Sequence, residues 1–231
     1  MITAALNRGE PVLALSLDCE KAFDSVWHGG LIEIFHDYGV PTNLIRMISS
    51  FLRDRFLSLV INNTRSSWHR VRAGVPQGSV LSPLLYAIYI SMMPKFNSKF
   101  AQTICFADDT LYLSWGDPEE AEIRLQTIAN KVHLFCKEMK IGINESKSEL
   151  LKVYGIKNRL SNRVRRITKK AGIFINGIKT NSVTRLRYLG VILNERFTFG
   201  QHLEQVIKKA NAASKMLGAV LRSKAVNQRV K

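Results

Sequence analysis

Apolar and polar positions along this chain switch between a period near two and a period near 3.6, and the switches mark the elements. VLALSLD at 12–18 is a short apolar run closed by an acid, which predicts an interior strand. SVWHGGLIEIFHDYG at 25–39 has helical spacing interrupted at Gly29 and Gly30. Gly39, Val40 and Pro41 then punctuate the chain ahead of a helix predicted over 42–54, with Thr42 as its cap. RFLSLVIN and SSWHRVRAG alternate as two strands around Asn62 and Asn63, a hairpin pattern. GVPQGSVLSPLLYAIYISMMPKF at 74–96 opens as a loop and becomes an apolar helix. ICFADDTLYLSW reads as two strands joined at Asp108 and Asp109, which puts an acidic pair at a hairpin tip.

The best amphipathic helix lies in 119–140, where Ala121, Leu125, Ile128, Val132, Phe135 and Met139 repeat at steps of 4, 3, 4, 3 and 4. ELLKVYG at 149–155 is a further strand. Next, KNRLSNRVRRITKK carries Lys157, Arg159, Arg163, Arg165, Arg166, Lys169 and Lys170 with no acid. Its apolar residues settle no period, so a ribbon, a loop and a helix all stay open. LRYLGVILN at 186–194 is a strand pair or one long strand, and 201–221 returns to helix with Leu203, Val206, Ala210, Ala213, Leu217 and Val220 on one face. The order predicts an α+β fold: a mainly antiparallel sheet with helices packed on one face.

Charge changes this picture more than composition does. With 34 Lys+Arg against 18 Asp+Glu, the 231 residues carry +16, a balance that draws polyanions over long range. Cys19, Cys105 and Cys136 form no close pair and no metal-binding repeat, which points to a reducing, intracellular setting. No apolar run approaches the length of a membrane span, and no basic-then-apolar leader opens the chain. Neither a GxGxxG nor a GxxxxGK stretch occurs, which speaks against a Rossmann or P-loop nucleotide site.

The acidic pair poses the chemical question. A buried carboxylate costs several kcal/mol unless it is paired, hydrogen-bonded or metal-bound, and two neighbours repel each other. A bare pair of aspartates is often only an acidic turn. Here Phe106 and Ala107 before it, with Thr110, Leu111, Tyr112 and Leu113 after it, predict a tip with little exposure. Asp18 ends the first strand; if the two strands are neighbours, Asp18, Asp108 and Asp109 converge on a site suited to hard divalent cations. Asp24 reads as the cap of a helix beginning near Ser25, and Asp54 and Asp117 as boundary residues.

LSLDCEKAFDSVW at 15–27, AGVPQGSVLSPLLYAIY at 73–89, FADDTLYLS at 106–114, KIGINESKSELL at 140–151 and LRYLGVILN at 186–194 resemble, in order, the palm motifs of reverse transcriptases of the non-LTR retrotransposon type. The resemblance implies an RNA-directed DNA polymerase, a nucleotidyltransferase using Mg²⁺ or Mn²⁺, with an RNA template, a DNA primer and deoxynucleoside triphosphates as partners. It implies that Asp18 and Asp108 bind the metals, with Asp109 supporting them. Phe23 matches the aromatic position that presses on the incoming sugar and excludes a 2′-hydroxyl. Gly74, Pro76, Gln77 and Gly78 match the segment that lies against template and nucleotide. Lys147 matches a lysine that neutralises or protonates departing pyrophosphate, and Leu189 and Gly190 match the primer grip.

The same resemblance divides the chain into a palm core (1–155), a basic segment with primer-grip-like strands (156–200) and a helical start of a thumb or connector (201–231). Members of the family usually carry a longer stretch ahead of the first palm motif, so fingers are expected to be largely absent and supplied, if at all, by another segment or another domain of the element. The alternative from a different class is a non-catalytic basic module that binds RNA or DNA and keeps the palm shape.

Overall fold

The computed structural model describes residues 1–155 and 160–222. A short helix α1 (Ile2–Asn7) leads into strand β1 (Val12–Leu17), helix α2 (His28–Asp37) and helix α3 (Thr42–Leu52). Four short strands follow, β2 (Arg55–Leu57), β3 (Val60–Ile61), β4 (Thr64–Arg65) and β5 (His69–Val71), and then helix α4 (Ser82–Ser91). The middle of the chain holds β6 (Ala101–Phe106), β7 (Asp109–Trp115), α5 (Pro118–Glu138), β8 (Glu149–Val153) and α6 (Asn162–Lys170). Strands β9 (Phe174–Ile175), β10 (Ile178–Lys179), β11 (Asn181–Val183), β12 (Arg185–Tyr188) and β13 (Val191–Asn194) precede the helix α7 (Gly200–Arg222).

A five-stranded sheet in the order β11-β8-β1-β7-β6 organises these elements. Its pairings are antiparallel except for β8 with β11. The run VLALSL shows little alternation because β1 is central and covered on both faces, so every residue but Ser16 is buried. Leu13, Leu15 and Leu17 enter the larger core with Leu31 of α2, Leu85 and Tyr89 of α4, and Leu125, Ile128 and Val132 of α5. Val12 and Ala14 point the other way and meet Leu111, Leu113, Leu151, Leu186 of β12 and Ala5 and Leu6 of α1. The fold is α+β, a mostly antiparallel sheet backed by helices.

Several boundaries differ from the sequence pattern for physical reasons. Gly29 and Gly30 lie inside α2 rather than breaking it; a Cβ on Gly30 would sit 2.6 Å from the Trp27 ring, so the missing side chains make room for the indole. Pro41 rather than Thr42 is the N-cap of α3. Asp117 proves to be a true cap, its carboxylate accepting from the Glu119 and Glu120 amides. Around Asn62 and Asn63 the hairpin forms, with both residues at positive φ as a type I′ turn requires. It is broken midway, because β3–β4 runs one residue out of register with β2–β5.

The basic run resolves into helix α6, capped by Ser161, whose hydroxyl accepts from the Val164 amide. Lys157 and Arg159, with residues 223 to 231 and the side chain of Val220, lie outside the described residues. LRYLGVILN is a strand pair, β12 with β13. Among the described residues no helix is long and apolar enough to cross a membrane.

Candidate active site

The last bonded pair between β1 and β7 is Leu17 with Thr110, so one further step sets Asp18 across from Asp109. Pairing of β6 with β7 runs to Phe106 with Asp109, which leaves Ala107 and Asp108 as a two-residue turn. Ala107 takes φ +51 and Asp108 is not left-handed, the pattern of a type II′ turn, which prefers glycine at its first position. Strain of this kind costs about 1–3 kcal/mol and persists where the surrounding structure over-determines it. The tip is more open than its flanks predicted: Phe106 is 62% exposed. The reason is topological, since β6 is the edge strand of the sheet.

Asp18 is held through its main chain by the loop between α5 and β8. The Asn144 amide donates to the Asp18 carbonyl at 2.8 Å, and the Glu20 amide donates to the Gly142 carbonyl at 2.8 Å. On the other side the Asp18 amide donates to the Ser148 hydroxyl at 3.3 Å, and Ser148 is fully buried. Lys147 stands exposed on the same loop, its amide donating to the Asn144 side chain at 3.1 Å. Within the described residues its ammonium makes no ion pair.

Electrostatics tie the acids together. The Asp109 carboxyl titrates above its ordinary range because of partial burial first, then the charge of Asp108, then that of Asp18. Burial, followed by Asp108 and Asp18, pushes the neighbouring Cys19 thiol up to about 11. Burial raises the Tyr86 phenol as well, with Cys19 and then Asp108 adding to it. Asp18, Asp108 and Asp109 thus share one field, and no lysine or arginine among the described residues forms an ion pair with any of them. Their oxygen donors fit a hard divalent cation in kind. In spacing they are open: among the described residues no three His, Cys, Asp or Glu side chains gather closely enough to hold a metal ion.

The loop after β5 is stitched to the segment after β1. The Val75 amide donates to the Phe23 carbonyl and the Gly74 amide to the Val26 carbonyl, each at 2.8 Å. Gly74 has φ +82, and a Cβ there would lie 2.7 Å from the Asp24 carbonyl oxygen, so only glycine fits. Phe23 stacks on Tyr86 with ring centroids 4.7 Å apart. Asp24 caps no helix; its carboxylate accepts from the Gln77 amide at 2.9 Å, which ties Gln77 to the protein. The Pro76 carbonyl accepts from the Ser82 hydroxyl at 2.5 Å, while Gly78, at φ +84, has open space around it.

Leu189 and Gly190 form the two-residue turn of the β12–β13 hairpin, both at positive φ. That hairpin reaches the acidic one through a residue the motif comparison did not single out. The Tyr188 hydroxyl donates to the Ile104 carbonyl at 3.3 Å and lies 3.5 Å from the Asp109 carbonyl. The available signal was a tyrosine in a half-buried strand, whose hydroxyl needs a polar partner. The Asp24–Gln77 bond left no signal in spacing, because it joins residues of two loops.

The profile of the reverse transcriptase (RNA-dependent DNA polymerase) family matches residues 2–193. A probable RNA-directed DNA polymerase from transposon X-element of Drosophila melanogaster is 32% identical over 216 residues, covering 91% of this chain and 22% of that protein. The RNA-directed DNA polymerase from mobile element jockey of Drosophila funebris is 32% identical over 206 residues, covering 86% of this chain and 21% of that protein. The chain therefore spans about a fifth of these relatives. Among solved structures, apo telomerase from Candida tropicalis, truncated from the C-terminal domain, has a TM-score of 0.53 at 13% identity, covering 82% of this chain and 35% of that one; this likeness concerns the fold. By its sequence the chain belongs to the reverse transcriptase family, of the non-LTR retrotransposon kind.

Proposed function

We propose that this chain carries out template-directed DNA synthesis on RNA by nucleotidyl transfer. The observation that carries the reading is the shared field of Asp18, Asp108 and Asp109 at one end of the sheet, without an ion-pair partner among the described residues. Asp18 and Asp108, with Asp109 beside them, are the residues that would hold Mg²⁺ or Mn²⁺. Such ions, when bound, lower the pKa of an attacking hydroxyl and stabilise charge on phosphoryl and leaving oxygens.

The rest of the work is positioning. The Phe23 ring, steadied by its stack on Tyr86, presents a flat wall that selects a sugar lacking the 2′-hydroxyl. The loop of Gly74, Pro76, Gln77 and Gly78 is fastened to the Phe23 segment by main-chain hydrogen bonds, so nucleotide and template contacts move as one unit with Asp18. Lys147 supplies a cation for departing pyrophosphate. The turn at Leu189 and Gly190, braced on the acidic hairpin by Tyr188, serves as the grip on the primer end. In this reading 1–155 is the palm core, 156–200 the basic segment with the grip, and 201–231 the opening of a thumb or connector. RNA template, DNA primer and deoxynucleoside triphosphates are the partners, and the excess positive charge favours them.

The test is extension of a DNA primer on an RNA template with deoxynucleotides and Mg²⁺ or Mn²⁺, beside D108A. Metal-dependent extension that D108A lacks is the expected result. A second reading, a non-catalytic RNA- or DNA-binding palm, is favoured by the open spacing of the acids. RNA binding without extension in the unaltered chain would establish that second reading instead.

A further inference from the structure

A cavity of about 640 Å³ opens between α6 and the residues that follow β13. Arg165, Arg166, Lys169, Lys170 and Arg196 line it, with Glu195 as the acid among them. None of these five cations is in an ion pair among the described residues. The Arg165 Nε is buried without a hydrogen-bond partner, a cost that a native site usually avoids. Like charges are therefore concentrated in a concavity where mutual repulsion opposes folding.

The framework around the cavity is fixed. The buried Lys152 of β8 donates from Nζ to the Lys169 carbonyl at 2.9 Å and pins the last turn of α6. The Gly172 amide donates to the Glu122 carboxylate of α5 at 2.8 Å just beyond the helix. On the far wall the Tyr154 amide donates to the Glu195 carbonyl at 2.7 Å. On α6 the cations stand in two rows, Arg165 with Lys169 and Arg166 with Lys170, each pair one turn apart, about 5–6 Å between Cβ atoms.

We propose that this cavity binds successive phosphates of a polynucleotide strand. A single small anion would neutralise only one or two of the five charges, whereas a strand brings a row of phosphates to two rows of cations. Arginine forks suit phosphate oxygens bidentately. The site is separate from the acidic hairpin: Tyr154 follows Val153, the partner of Val12, while Asp18 closes the other end of β1. At about 3.3 Å per residue the two lie roughly 20 Å apart along the strand. No step of nucleotidyl transfer uses it, so it stands whether or not the chain polymerises.

The test is the salt dependence of binding of a labelled single-stranded RNA to the full chain, by fluorescence anisotropy, with neither deoxynucleotide nor divalent ion present. R166Q/K169Q/K170Q removes exposed cations of the cavity, and K137Q/K208Q/K209Q removes the same charge from exposed positions elsewhere. Each lost phosphate contact lowers the slope of log K against log salt by about 0.7, so the cavity variant should lose about 2 units and the control much less. R165K, which keeps the charge but not the fork, should leave the slope nearly unchanged while weakening binding at fixed salt. Circular dichroism and melting curves check that the variants fold. Equal losses in the two triple variants would overturn the proposal. So would displacement of the RNA by millimolar inorganic phosphate beyond chloride at matched ionic strength, which would make the cavity a small-anion site.

Discussion

The two ends of the central sheet carry opposite problems. At one end Asp18, Asp108 and Asp109 sit together with no ion-paired cation among the described residues, and at the other five cations face a single glutamate. The acids are short side chains mounted on a strand end and a strained two-residue turn, so the main chain dictates where their oxygens go. The cations are long side chains, four of them on one helix, whose heads can follow a ligand. The difference teaches that fixed geometry and adaptable charge are built from different parts. Chemistry that needs fixed positions uses rigid backbone, and grip on a polyanion uses flexible arms.

The largest expected effect would separate the two ends completely. D18N or D108N should lower primer extension on the order of 10³-fold, the scale of losing a preorganised electrostatic contact, with RNA affinity unchanged at fixed salt. If affinity fell in parallel, the ends would not be independent. Gly74→Ala comes next, because the new Cβ meets the Asp24 main chain at a φ of +82. A loss of about 2–3 kcal/mol in stability is expected by denaturant unfolding. The salt slope of RNA binding should survive it, since the cavity by α6 is untouched.

Tyr188→Phe removes the hydroxyl that links the two hairpins and little else. A net hydrogen bond is worth about 1 kcal/mol, so KM for the primed template should rise roughly fivefold with kcat nearly unchanged. A fall in kcat alone would show that the tyrosine serves the acids rather than the grip.

The smallest effect is a pH test of the acidic end. Burial first, and then the charges of Asp108 and Asp18, raise the Asp109 carboxyl, so the folded state holds its proton more tightly than the unfolded chain does. Stability from this group is therefore present below the unfolded pKa, about 4, and is lost as pH rises through the folded value. D109N should melt slightly above the unaltered chain at pH 7, and the gain should vanish below about pH 4. Mg²⁺ should narrow the neutral-pH difference by relieving the same repulsion.

Much of this was legible beforehand where the signal is local. The apolar run 12–17 and the 4-3-4-3-4 steps of α5 follow from side-chain period, and each forms where expected; the acidic hairpin forms too, with its turn one residue earlier, at Ala107 and Asp108, and Asp109 opening β7. Capping is less legible, since Asp24 and Thr42 are plausible caps by residue type, yet the packed loops put Trp27 and Pro41 at the N-cap positions of α2 and α3. The exposure of Phe106 is not legible in the sequence, because period cannot tell an edge strand from a central one. The basic run gave no clear period; it is a helix because Ser161 caps it and Thr168 finds a buried seat.

The amino-acid order by itself determined most of the elements and the family, though not α6, because period, turn residues and the ordered motifs are properties of neighbours in the chain. Tertiary structure decided which distant groups share a field. Strand order put Asp18 beside Asp109, a hairpin carried Tyr188 to the same place, and the close of β8 set Tyr154 against Glu195 to wall the basic cavity. Those meetings depend on pairing register across many residues, where one step of slip would turn every side chain to the other face of the sheet.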